Sequence, residues 1–110
     1  MTPGGRLSAA IELLDEIIAA AREGGAAADT LIARYFAARR YAGSKDRRAV
    51  RELVYAAIRR FGDMPESGRA AMVALADESD EIRALFDGSS HGPAPLNPAE
   101  PRATATSVPR

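Results

Sequence analysis

The sequence predicts an all-α fold of about five helices, and three observations carry that prediction. Apolar residues recur at helical spacing in successive segments, and no window alternates apolar and polar residues as a half-buried strand would. Gly, Ser, Thr and Pro fall at the edges of those segments, where helices start and stop. No strand-like run precedes any glycine turn, so nothing suggests a βαβ unit.

The first helix is expected to start at Thr2-Pro3, with Thr2 as N-cap and Pro3 at the first helical position, or else after Gly4-Gly5 at Ser8. Leu7, Ile11, Leu14, Ile18 and Ala21 form one stripe, widened by Ala10, Leu13 and Ile17, and Glu12, Asp15, Glu16 and Glu23 line the polar side. Gly24-Gly25 ends it. A second helix is expected from about Ala27 to Arg39, burying Leu31, Ile32, Tyr35 and Phe36. Gly43 breaks the chain, and Ser44 is the expected N-cap of a third helix. There Val50, Leu53, Val54, Ala57, Ile58 and Phe61 follow the i, i+3, i+4, i+7 rule, with Arg48, Arg51, Tyr55 and Arg59 on the other side and Gly62 as the stop. A weaker fourth helix opens at Asp63 to Pro65 and carries Met72, Val73 and Leu75. A short fifth is capped by Ser79, shows Ile82, Leu85 and Phe86 as its apolar face, and is closed by Gly88.

From Ser89 the composition changes. Residues 89–110 hold five of the seven prolines and show no periodicity, so the expected organisation is a helical domain over 1–88 and a flexible, disordered linker over 89–110. Such a linker reads as a tether to a further domain. The core should be thin, because 24 of the 110 residues are alanine, which buries little area. The chain has no cysteine, which excludes thiolate metal sites and cysteine nucleophiles and fits a reducing, cytoplasmic setting. No stretch approaches the roughly 20 apolar residues of a membrane span.

Charge is the feature that points to function. Residues 34–60 hold nine basic side chains against two acidic ones, a net of +7, while the rest of the chain holds six against thirteen, a net of −7. The neutral total therefore conceals a strongly dipolar molecule. Arg39 and Arg40 fall at the end of one expected helix, and Lys45, Arg47, Arg48 and Arg51 fall at the start of the next. A short turn would gather these six into one phosphate-binding surface, with Tyr41 and Tyr55 available to stack on bases or sugars. Cations at a helix start oppose its dipole, an arrangement an ordinary solvated face would not select. Two plainer readings compete: a solvated face supported by an Arg48–Glu52 pair, or arginines that pair with the acidic first helix inside the fold.

Other chemistry is absent from the sequence. Glu12, Asp15 and Glu16 share a face but have no histidine nearby, so no metal site is expected. Asp77, Glu78, Asp80 and Glu81 straddle a helix boundary, where acids favour the following N-terminus. His91 is the only histidine and sits in the linker without a neighbouring nucleophile. Neither a dinucleotide-binding glycine pattern nor a P-loop occurs, and no catalytic residue is expected.

Three segments carry a family resemblance. These are Arg6-Leu7-x-Ala9-Ala10-Ile11-Glu12-Leu13-Leu14-Asp15-Glu16-Ile17, Tyr35-Phe36-x-x-Arg39-Arg40-Tyr41-x-Gly43-Ser44-Lys45-Asp46-Arg47-Arg48-Ala49, and Glu52-Leu53-Val54-Tyr55. Together they resemble the N-terminal domain of the RsmB/Sun family of S-adenosylmethionine-dependent 16S ribosomal RNA cytosine-C5 methyltransferases. Residues 86–96 resemble the linker that follows this domain. The segment 62–68 departs from the family in carrying fewer bulky apolar residues. The resemblance implies a NusB-like helical bundle that docks ribosomal RNA through Arg39, Arg40, Lys45, Arg47 and Arg48. It also implies that methyl transfer belongs to a separate C-terminal methyltransferase domain, which would bind S-adenosylmethionine; this chain itself is expected to hold no cofactor. The alternative function is a helical protein–protein interaction module, its basic face meeting an acidic partner or a second copy.

Overall fold

The computed structural model describes residues 1–61 and 65–104. Among them lie five helices and no strand, in the order α1 (Pro3–Glu23), α2 (Ala28–Ala37), α3 (Ser44–Arg60), α4 (Gly68–Glu78) and α5 (Asp80–Ala84). The all-α expectation is met.

The earlier of the two expected starts for α1 is the one used. Thr2 is the N-cap, its hydroxyl accepting the Gly5 N–H at 2.9 Å, and Pro3 occupies the first turn. Gly24 closes the helix in the left-handed conformation, at φ 69°. At 21 residues α1 runs for about 31 Å and lies against α2, α3 and α4, burying Leu7, Ala10, Leu13, Leu14 and Ile18. It is the spine of the bundle.

The second helix stops at Ala37, two residues before the expected Arg39. The Arg39 N–H bonds to the Phe36 carbonyl and the Ala42 N–H to the Arg39 carbonyl, both at 3.1 Å, so the chain tightens and turns. Ala42 is thereby drawn into the core, at 2 % exposure. Arg39 and Arg40 therefore stand in the connection and not in a last helical turn. Ile32, Tyr35 and Phe36 are buried as expected, whereas Leu31 is only half-buried. The N-cap of α3 is Gly43, one residue earlier than the expected Ser44. The cause is Asp46, whose carboxylate reaches back to accept the Gly43 N–H at 3.2 Å. Val50, Val54 and Ala57 are buried and Leu53 and Ile58 pack at the edge of the core.

Gly62 as a helix stop and the opening of the fourth helix at Asp63 lie outside the described residues. That helix begins at Gly68, with the Ser67 hydroxyl accepting the Ala70 N–H at 3.0 Å. Expected to be weak, α4 is the most buried element of the protein: Gly68 and every residue from Ala70 to Ala76 are buried. A helix covered on all sides has no polar face to set off an apolar one, so its pattern in the sequence is faint. Its alanines let neighbours approach closely. At Gly68 the approach is extreme, since a Cβ there would lie 2.2 Å from the Ile11 carbonyl oxygen and 2.9 Å from the Leu14 Cβ. The Gly68 N–H also donates to Asp15 at 2.7 Å, joining the two helices by a backbone-to-carboxylate bond. Ser79 then ends α4 and caps α5, accepting the Ile82 N–H at 3.3 Å.

Residues 89–104, expected to belong to a disordered linker, instead follow the bundle surface with defined contacts; residues 105–110 lie outside the described residues. Pro93 is buried, and the Pro93 carbonyl accepts the Gly88 N–H at 3.1 Å. Arg69 clamps the segment. Its guanidinium donates to both oxygens of Glu100, at 2.6 and 3.0 Å, and to the carbonyls of Ala94 and Pro95, at 3.1 Å each. The Ala103 N–H reaches the Ala70 carbonyl at 3.0 Å, and Arg102 pairs with Asp77 at 2.7 Å. Composition alone suggested disorder because prolines cannot continue a helix. They remain compatible with an extended strap whose few polar groups find partners on α4.

Two predictions follow from this packing. Gly68→Ala must separate α1 from α4 and is expected to destabilise the fold by about 1–3 kcal/mol, read from the midpoint of a urea melt. The Arg69 guanidinium beside Glu100 lowers its carboxyl from the usual 4.5 to about 2. A depressed carboxylate stabilises the fold fully above its ordinary pKa and loses that contribution as pH falls towards the folded value. Glu100→Gln should therefore cost on the order of 1 kcal/mol at neutral pH, with the difference from the parent fading between about pH 4.5 and 2 in acid melts.

Candidate functional site

The basic block spans the end of α2, the α2–α3 connection and all of α3, and the structure divides the cations at and around the connection into two sets. One set is committed to the fold. The Arg39 guanidinium lies 3.6 Å above the Tyr35 ring, donates to the Tyr35 carbonyl at 3.1 Å and stands 3.9 Å from Glu12. Arg47 donates to the Ala42 carbonyl at 3.1 Å, which fastens the turn to the helix that follows. Arg51 pairs with Asp29 at the start of α2 at 3.2 Å, and Arg60 forms a two-pronged pair with Glu78 at 3.0 and 2.6 Å. The expectation that some arginines pair with the acidic first helix thus holds for Arg39 with Glu12.

The other set is Arg40, Lys45 and Arg48. All three side chains are exposed and have no ion pair among the described residues, the expected Arg48–Glu52 pair included; Arg34 and Arg59, on the helices away from the turn, are likewise exposed and without an ion pair there. Lys45 occupies the first turn of α3, where its charge opposes the helix dipole. The acid in that turn, Asp46, does not offset it outward. Its carboxylate points into the bundle, taking Arg6 at 2.9 Å, the Met1 ammonium at 3.2 Å and the Gly43 N–H. Arg6, foremost, together with the ammonium and the amide, holds the Asp46 carboxyl below its ordinary range against the opposing effect of desolvation.

The two tyrosines differ in the same way. Tyr55 is half-buried, its hydroxyl donating to Asp29 while the Arg51 guanidinium lies 5.1 Å from its ring. The bond to Asp29 raises its pKa. Tyr41 is 73 % exposed, the one large apolar side chain so placed among the described residues. Tyr35, buried behind them, donates to Glu12 at 2.7 Å, and burial with that bond pushes its phenol above the ordinary value of 10. It remains a neutral donor and fixes Glu12.

Two grooves border this region. One, of ≈ 470 Å3, runs between α2 and α3 and is walled by Phe36, Ile32, Arg47, Arg48 and Arg51, with Asp29 at one end. The other, of ≈ 620 Å3, lies where the start of α1 meets the α2–α3 connection and the strap, and is lined by Ser8, Glu12, Tyr35, Arg39, Tyr41 and His91. His91 and Glu12 were not legible as site residues. His91 reaches the groove because the loop 89–92 packs on the first turn of α1, where a Cβ on Gly5 would sit 3.5 Å from the His91 Cβ. Nothing local in the sequence signals that contact; only the Gly4-Gly5 pair hints at a close approach. Among the described residues no group of three or more histidines and carboxylates could hold a metal ion, and no helix is long and apolar enough to cross a membrane.

The division of cations is open to measurement. Arg47→Ala removes the bond that closes the turn and should lower stability by about 1 kcal/mol in a denaturant melt. Lys45→Ala and Arg48→Ala should stay within about 0.5 kcal/mol of the parent, Lys45→Ala on the stabilising side because it relieves an unfavourable dipole contact. Comparison with protein-family models, curated proteins and solved structures returned no match for this chain.

Proposed function

We propose that this chain is an RNA-binding helical domain. In keeping with its resemblance to the RsmB/Sun family, it would dock ribosomal RNA for a cytosine-C5 methyltransferase whose transfer chemistry, and S-adenosylmethionine, belong to a separate domain. One observation supports the reading above the others. Arg40, Lys45 and Arg48 are gathered at one turn, exposed and unpaired, while the arginines around them are each tied to an acid or a carbonyl. The other exposed cations without a partner among the described residues, Arg22, Arg34 and Arg59, fall singly on α1, α2 and α3, whereas these three meet at one turn. The side chains of Arg47 and Arg51, though tied down, extend the positive wall along the neighbouring groove. Phosphates are the ligand such a surface attracts, by charge and by the forked donors of arginine.

A salt titration of RNA binding is the test. For a single-stranded RNA the affinity should fall with salt at a log–log slope of roughly −0.7 per phosphate contacted. The Arg40→Ala/Lys45→Ala/Arg48→Ala triple variant spares the arginines that hold the turn, so it should fold normally. It should bind more weakly and with a slope shallower by about 2. Absence of RNA binding at low salt, or an unchanged slope in the triple variant, refutes the proposal. A stable dimer in light scattering that covers these three residues would instead favour the protein-interaction module.

A further inference from the structure

The ≈ 620 Å3 groove beside the basic turn is not used by phosphate docking, and its lining suits a different part of a nucleotide. We propose that it receives one unpaired nucleobase of the bound RNA, stacked among Arg39, Tyr41 and His91, with an amino-bearing edge turned to Glu12. This rests on the RNA-binding reading and adds a base-selective subsite to it.

Four features lead there. The volume falls within the roughly 300–1,000 Å3 of pockets that enclose small organic ligands. Tyr41 presents its ring largely to water, the disposition of a stacking platform. The Arg39 guanidinium is pinned over the Tyr35 ring, 3.6 Å from its centroid, and by its bond to the Tyr35 carbonyl. The side chain, one-third exposed, also lines the groove, and a guanidinium is a surface on which unpaired RNA bases stack. His91 supplies a further ring from the strap side.

Glu12 sets the selectivity. Its Oε2 takes the Tyr35 hydroxyl and faces Arg39, while Oε1 has no partner among the described residues. A carboxylate only accepts, so it favours a base edge that donates, such as the cytosine amino group, and is repelled by the O4 of uracil. Arg40, between two lining residues in the chain but not itself lining the groove, is exposed and unpaired among the described residues, a cation for the phosphates flanking that base.

Fluorescence anisotropy on the full chain with labelled single-stranded RNA octamers, all-cytosine or all-uracil, tests the subsite. The cytosine octamer should bind about tenfold tighter. Tyr41→Ala, which alters an exposed side chain outside the core, should weaken it about tenfold with the salt slope unchanged, and His91→Ala should act in the same direction. Glu12→Gln keeps an oxygen to accept the Tyr35 hydroxyl but turns a donating amide N–H2 towards the base, so it should erase the preference for cytosine. Equal affinity for the two octamers, or parental affinity in Tyr41→Ala, overturns the base subsite while leaving phosphate docking intact. Failure to bind either octamer at low salt overturns both.

Discussion

At Gly68 the backbone of α4 rests against the Ile11 carbonyl of α1, with its amide hydrogen held by Asp15. The rest of the bundle is placed by that contact. Because no side chain intervenes, α4 sinks far enough for its next seven alanine, valine, leucine and methionine positions to be covered on every side. Residue 69 then emerges at the surface as the arginine that clamps the strap. Two consecutive residues thus do opposite jobs, one by lacking a side chain and the other by having the longest forked one. A thin core of alanines is viable under this arrangement, since small residues gain from backbone proximity what they lack in volume.

The charge separation along the chain has a structural resolution. Acids from other helices (Glu12 of α1, Asp29 of α2, Glu78 of α4) come to the arginines of the α2–α3 region and hold them in defined geometry. These pairs are largely solvent-exposed, so each adds little to stability, and their effect is chiefly to orient side chains. Asp46, the one acid inside the turn, is withdrawn to Arg6 and the chain start. What is left outward is a small positive surface of Arg40, Lys45 and Arg48, framed by immobilised arginines. Preorganised neighbours of this kind lower the entropy lost when a polyanion docks.

The sequence made some of this plain and concealed the rest for identifiable reasons. The boundaries of α1 were legible because Thr2, Pro3 and Gly24 each have a local mechanism. The α3 apolar face was legible because one side of that helix meets water. The buried α4 looked weak because amphipathicity requires a wet face, and the strap looked disordered because its order derives from Arg69 and Ala70, more than thirty residues upstream of the Glu100 and Ala103 they hold. At the site, the turn that gathers the cations was readable from Gly43 and the charge run. Which of those cations were free was not, because Asp29 and Glu12 reach them only through the tertiary fold.

The hydroxyl bonds of Tyr35 and Tyr55 have an optical consequence. The chain contains three tyrosines and no tryptophan, so its ultraviolet emission comes from phenols alone. Two of the three donate to carboxylates, Glu12 and Asp29, and a carboxylate accepting a phenol proton drains the excited state. Tyr41, on the rim of the groove beside the basic turn, makes no such bond among the described residues and is the phenol expected to dominate the native emission. The protein therefore carries a natural lamp at that one spot on its surface, with the other two dimmed by the bonds that hold the fold together.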